Sequence, residues 1–179
     1  MRPGLCLAAT EWMSDPKQEQ AVVILFHADE SSHLGIAINR RADQQYFERI
    51  SLFHGGDRAM PDGRAPLSAL FADPGRTKDA FHPVKGVAMY FGNEYVRPII
   101  DPVEQGTADR VDPARLWVFQ GFMSWAPGIL KRQIEDGLWD VFQPDAEFLL
   151  SAPAEVKWAK AREKLGKDPW PATTQWGKA

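Results

Sequence analysis

One cysteine, Cys6, is all the thiol this chain of 179 residues carries. A lone cysteine closes no internal disulfide and builds no thiolate metal site, which fits a reducing compartment. Cys6 lies in the apolar run Leu5-Cys6-Leu7-Ala8-Ala9 and reads as a small buried hydrophobe. Long apolar runs are missing too: none approaches the roughly 20 residues that span a bilayer. The stretch between Arg2 and Glu11 is too short for a signal peptide. These absences predict a cytoplasmic protein with no membrane partner. An excess of basic residues is also lacking. Lys and Arg number 21 against 24 Asp and Glu, for a net charge of -3, so no global field attracts nucleic acid. The most basic stretch holds Lys157, Lys160, Arg162, Lys164 and Lys167. Glu155, Glu163 and Asp168 dilute it, so direct DNA binding is not expected.

The motifs of common chemistries are absent as well. His27, His33, His54 and His82 form no HxH, HxxxH or HExxH arrangement, so no metal is expected. His27 and His54 each end a predicted strand and read as turn histidines with water or backbone partners. Neither the phosphate-binding Gly-x-x-x-x-Gly-Lys-Ser/Thr loop nor Gly-x-Gly-x-x-Gly occurs, and no cofactor is expected. Gly121-Phe122-Met123-Ser124-Trp125 resembles a nucleophile elbow only in part. Phe122 occupies a position that needs glycine, and no histidine follows His82 to complete an Asp-then-His order after Ser124. No catalytic set is assigned.

What is present is a globular composition, 44% hydrophobic and 25% charged, sufficient for one folded domain. Gly4–Ala9 predicts a first strand, and the β-branched run 21–27 predicts a central strand buried on both faces. A six-residue turn separates it from the strand 34–40, implying an antiparallel hairpin. Segments 50–54, 66–71, 84–91 and 115–121 predict further strands, as do Leu138–Phe142 and Glu147–Ser151. The segment 41–48 forms a short helix or a linking loop. Asn93 is placed to cap a helix that Pro98 and Pro102 limit to a couple of turns.

Pro127 suits the start of a helix held by Leu130 and Ile134, with Ser124 capping it or its turn and Trp125 covering the core. Pro153 opens and Gly166 closes the last helix, with Ala154, Trp158, Ala161 and Leu165 inward and Lys157, Lys160, Glu163 and Lys164 facing water. Several hairpins without βαβ alternation predict an α+β domain over residues 1–166, with one large mixed, mostly antiparallel, barrel-like sheet and a few peripheral helices. Residues 167–179, with Trp170 and Trp176, predict an arm through which the chain could form a homo-oligomer.

Taken in order, these pieces resemble the AlgH/YqgE family of bacterial proteins. The resemblance rests on Gly4 to Ala9, Met13-Ser14-Asp15-Pro16, Val22 to Leu25, Gly35-Ile36-Ala37-Ile38-Asn39-Arg40 and Phe53-His54-Gly55-Gly56. Further on it rests on Gly121-Phe122-x-x-Trp125-x-Pro127-Gly128-x-Leu130, then Trp139, Leu149-Leu150, and Pro153 to Gly166. The chain departs from the pattern at Glu11, Gln18, Gln20, His27 to Asp29, Arg41 and Lys131 to Gln133, as a diverged member would. The resemblance implies an α+β fold and carries no catalytic set. Some members are labelled transcriptional regulators, which implies a non-enzymatic regulatory or interaction module whose transcriptional role is indirect. The alternative is a small-molecule binder or enzyme using a cleft near Asn39-Arg40, Gly55-Gly56 and Ser124-Trp125, strand-end segments where sites on sheets form. With Gly128, these residues are the candidate surface for a small-molecule or protein partner.

Overall fold

Val22, Val23, Ile24 and Leu25 are all buried, so the strand they form has a core on both sides. The structure, a computed structural model, describes residues 1–73, 77–108 and 110–169. In it, β1 (Cys6–Ala9), β2 (Val22–Ala28) and β3 (His33–Ala37) are followed by β4 (Leu52–His54), β5 (Leu67–Ala72), β6 (Val87–Phe91) and α1 (Asn93–Glu104). Then come β7 (Leu116–Gln120), β8 (Met123–Trp125), α2 (Ile129–Glu135), β9 (Trp139–Phe142), α3 (Ala146–Leu150) and α4 (Ala154–Lys164). The strands form a five-stranded sheet in the order β8-β3-β2-β1-β9 and a four-stranded sheet in the order β4-β7-β5-β6. All pairings are antiparallel except β4 with β7.

Side-chain alternation along β2 divides the interior. Val22 and Ile24 join Phe53, Leu70, Met89, Phe119, Phe148 and Trp158 in a core between the sheets. Val23 and Leu25 join Trp125, Leu130 and Trp139 on the opposite face, beneath α2. A third core lies on the far side of the four-stranded sheet, where Val96, Ile100 and Val103 of α1 cover Leu52, Ala69 and Val118. Full burial of each such aliphatic side chain stabilises the fold by about 1.5–3 kcal/mol.

The α+β class and the mostly antiparallel strands are as the sequence predicts. The strands are divided between two sheets, however, and neither is closed, so "barrel-like" fits only loosely. Glu147–Ser151, expected as a strand, belongs to α3: the Asp145 carboxylate accepts a hydrogen bond from the Phe148 N–H at 2.8 Å and starts a helical turn. Helix α1 runs for 12 residues through Pro98 and Pro102. Its buried stripe Val96, Ile100 and Val103 outweighs the two missing backbone bonds. Asn93 does not cap it; its side-chain oxygen accepts from the Leu67 N–H at 2.8 Å. Segment 41–48 is a loop, with the Gln45 side chain bonding to Ala42 and to both backbone groups of Leu52.

Lys157 corrects the reading of α4. It is fully buried, and its Nζ donates to the carbonyls of Phe148, Leu149 and Ala152 at 3.0, 3.2 and 2.6 Å. The same ammonium stands 4.2 Å from the centre of the Trp117 ring. Arg162 is also buried and is neutralised by Glu11 at 2.8 Å. Trp170 and Trp176, the centre of the predicted arm, lie outside the described residues. No helix is long and apolar enough to cross a membrane among the described residues.

Candidate binding cleft at the sheet junction

The chain passes from one sheet to the other at Gly121, between β7 and β8. There it meets the Gly55-Gly56 pair backbone against backbone. The Gly55 N–H donates to the Gln120 carbonyl at 2.8 Å, the Arg58 N–H to the Phe122 carbonyl at 3.0 Å, and the Ala37 N–H to the Gly55 carbonyl at 2.9 Å. A Cβ on Gly56 would stand 2.2 Å from the Phe122 oxygen, and one on Gly121 only 2.1 Å from the Gly56 oxygen. Only residues without a side chain permit this crossing.

Beside the crossing lies a cleft of about 280 Å³, lined by residues that include Asp15, Lys17, Arg40, Asp57, Arg58 and Ser124. Its two carboxylates are occupied. Asp15 closes its own turn, accepting from the Lys17 N–H at 2.9 Å and from the Gln18 side-chain amide at 3.0 Å. Asp57 is held by Lys17 Nζ at 2.8 Å and His54 Nε2 at 3.0 Å. The hydrogen bond and charge of Lys17 keep the Asp57 pKa below the usual carboxylate value. Arg40 is different. It is half-buried and donates to the Glu19 carbonyl at 2.7 Å, and no carboxylate lies within ion-pair distance of it among the described residues. Burial pulls its pKa down from the usual arginine value, against the opposing charges of Asp15, Asp57 and Glu19. The Arg58 guanidinium and the Ser124 hydroxyl make no hydrogen bond to any described residue.

Arg40, Gly56 and Ser124, from three distant segments, thus line one cleft. The other candidates do structural work outside it. Asn39 accepts from the Val22 N–H at 2.8 Å and donates to the Gln20 carbonyl at 2.9 Å, pinning a turn in which Gln20 has a positive φ of 56°. Asn39→Ala is expected to lower stability by about 1–3 kcal/mol, measured by urea denaturation, because the buried Val22 N–H and the half-buried Gln20 carbonyl both lose their partner. Gly55 belongs to the crossing. Trp125 is buried on the far face, where its indole N–H and that of Trp139 donate to the one Gln133 side-chain oxygen at 3.0 and 2.9 Å. Gly128, with φ of 75°, makes the turn into α2. Ser124 caps nothing: it lies in β8 opposite Leu34, and α2 has no side-chain cap.

Lys17, Asp57 and Arg58 were not singled out by the sequence. The spacing His54-x-x-Asp57 directly across the glycine pair was the available signal. His27 and His54 face carboxylates, Asp29 at 2.9 Å and Asp57 at 3.0 Å, rather than only water or backbone. No grouping of three or more metal-ligating side chains occurs among the described residues.

Comparison with known proteins places the chain in a family. A "UPF0301 protein" of Caulobacter vibrioides is 27% identical over 173 residues, which span 91% of this chain and 86% of that protein. A crystal structure of a Corynebacterium diphtheriae protein superposes with a TM-score of 0.68 at 20% identity, covering 96% of this chain and 88% of that one. The solution structure of the AlgH protein from Pseudomonas aeruginosa gives 0.64 at 20% identity, covering 98% and 93%. At such identity the structural neighbours establish the fold alone. The family model described as AlgH-like matches residues 5–170, nearly the whole chain, and the protein belongs to the AlgH-like family.

Proposed function

We propose that this protein is a non-enzymatic regulatory module that works by binding a small polar molecule in the cleft beside the glycine crossing. The observation that carries this reading is the convergence of Arg40, Gly56 and Ser124 on one hollow in which the hydroxyl and most of the guanidinium remain unengaged. Its volume of about 280 Å³ suits a metabolite-sized group, not a nucleic-acid duplex. Any influence on transcription is therefore indirect. The absence of a nucleophile–base bond supports a binding role: His54 Nε2 faces Asp57, and the Ser124 hydroxyl has no hydrogen-bond partner among the described residues.

A thermal-shift screen of metabolites tests the reading. Hits that raise the melting temperature of the wild type are expected to vanish in Ser124→Tyr, whose ring fills the cleft. Hits that persist unchanged in the blocked variant would refute a site here. A tight, sequence-specific gel shift with DNA fragments would refute the indirect role.

A further inference from the structure

We propose that the ligand of this cleft presents a carboxylate or phosphate group, gripped by the Arg40 guanidinium with Arg58 and the Ser124 hydroxyl. This rests on the reading of the cleft as a binding site and names the chemistry that the site demands.

Donors and acceptors in the lining are unequally engaged. Every carboxylate oxygen in the lining has a partner: Asp15 within its own turn, Asp57 between Lys17 and His54. The Phe122 carbonyl is taken by the Arg58 N–H. On the donor side, Arg40 spends one N–H on the Glu19 carbonyl and leaves the rest of its fork open. Arg58 spends only its backbone N–H, and Ser124 spends nothing on any described side chain. Among the charged side chains of the hollow, guanidinium donors are thus open while no carboxylate acceptor is. Its fixed cations Lys17, Arg40 and Arg58 outnumber the carboxylates Asp15 and Asp57.

A cationic ligand would meet this surplus with like charge. A neutral ligand with few acceptors would cover Arg40 without answering it, leaving a half-buried guanidinium poorer in partners than before. An oxyanion supplies both the charge and the clustered acceptors, and the planar fork of arginine matches carboxylate or phosphate in two parallel bonds. The positions are also set in advance. Asn39 fixes the turn that presents the Glu19 carbonyl to Arg40, and the glycine crossing fixes the backbone from which the exposed Arg58 side chain extends. Pre-set groups lose little freedom on binding.

Carboxylate and phosphate are distinguished by titrating the full, ¹⁵N-labelled chain with succinate and with inorganic phosphate at constant ionic strength. The amides of Gly56, Asp57 and Ser124 report on the cleft. At least one anion is expected to shift them saturably in the millimolar range, and the one that saturates identifies the group. Arg58→Gln, which breaks no side-chain bond within the fold, is expected to weaken that anion about tenfold or more, as is Arg40→Gln. Lys131→Gln, on an exposed cation of α2, should leave it unchanged. Anion binding equal in wild type and both arginine variants would overturn the proposal. So would silence toward both anions while a neutral sugar or a polyamine moves the same amides; the cleft would then remain a binding site of other chemistry. If no probe of any charge moves them, both the proposal and the binding role fall.

Discussion

Gly121→Ala is expected to abolish stable folding, or at the least to remove about 4 kcal/mol or more from a total that for a domain of this kind is about 5–15 kcal/mol. Two costs combine at this residue. Its φ of 77° lies in the left-handed region, which strains any L side chain by about 1–2 kcal/mol. The added carbon would also stand 2.1 Å from the Gly56 carbonyl oxygen, and alanine has no rotamer with which to move away. Relief requires the two backbones to part. That breaks the Gly55–Gln120 and Arg58–Phe122 hydrogen bonds on either side of the crossing, each worth about 1 kcal/mol. Gly63→Ala is the internal comparison. Gly63 has a similar φ of 81° with nothing within 4 Å of the added carbon, so it isolates the backbone strain. Urea denaturation of both variants separates the terms. A Gly121→Ala protein no less stable than Gly63→Ala would show that the crossing opens freely.

Lys157→Met is expected to destabilise by about 2–4 kcal/mol. Methionine keeps length and apolar bulk, so cavity formation is not the cause. The cause is that the carbonyls of Phe148, Leu149 and Ala152, at the end of α3 and just beyond it, lose their donor while staying buried. The effect carries a pH signature. Burial draws the Lys157 pKa down from 10.5 to about 7. Above pH 7 the native state has released a proton that the unfolded chain still binds, so the lysine's contribution to stability grows as pH rises towards 10.5. The stability gap between wild type and Lys157→Met should therefore widen from pH 7 to pH 9 in denaturant titrations. A gap that stays level or narrows would mean that the carbonyls and the Trp117 face hold the ammonium form throughout.

These two residues also mark where the sequence was legible. The central strand, the hairpin after it and the last helix follow from local composition, because β-branched runs and Pro-to-Gly punctuation act over a few residues. Glu147–Ser151 misled because five residues are too few to show a period, and the deciding signal was Asp145 at the cap. Lys157 misled for the opposite reason. Its position, three after Ala154 and four before Ala161, falls on the buried stripe, but its charge argued for water, and only tertiary carbonyls could answer that charge. The site divides the same way. Arg40, Gly56 and Ser124 drew attention through their segments, yet nothing local showed that these segments meet. The strand β8 was not expected over Met123–Trp125, and it is its alternation that sets Ser124 on the cleft side and Trp125 on the buried face.

The first strand of the chain lies between β2 and β9, and the Trp158 indole closes on the Ala9 carbonyl across 149 residues of sequence. A ribosome adds about 5–20 residues each second. The nascent front half therefore waits on the order of ten seconds, holding an unfinished ribbon edge, before its last neighbours are made. The five-stranded sheet therefore cannot be completed until β9 has been made, and slow translation or early termination exposes that edge to other chains.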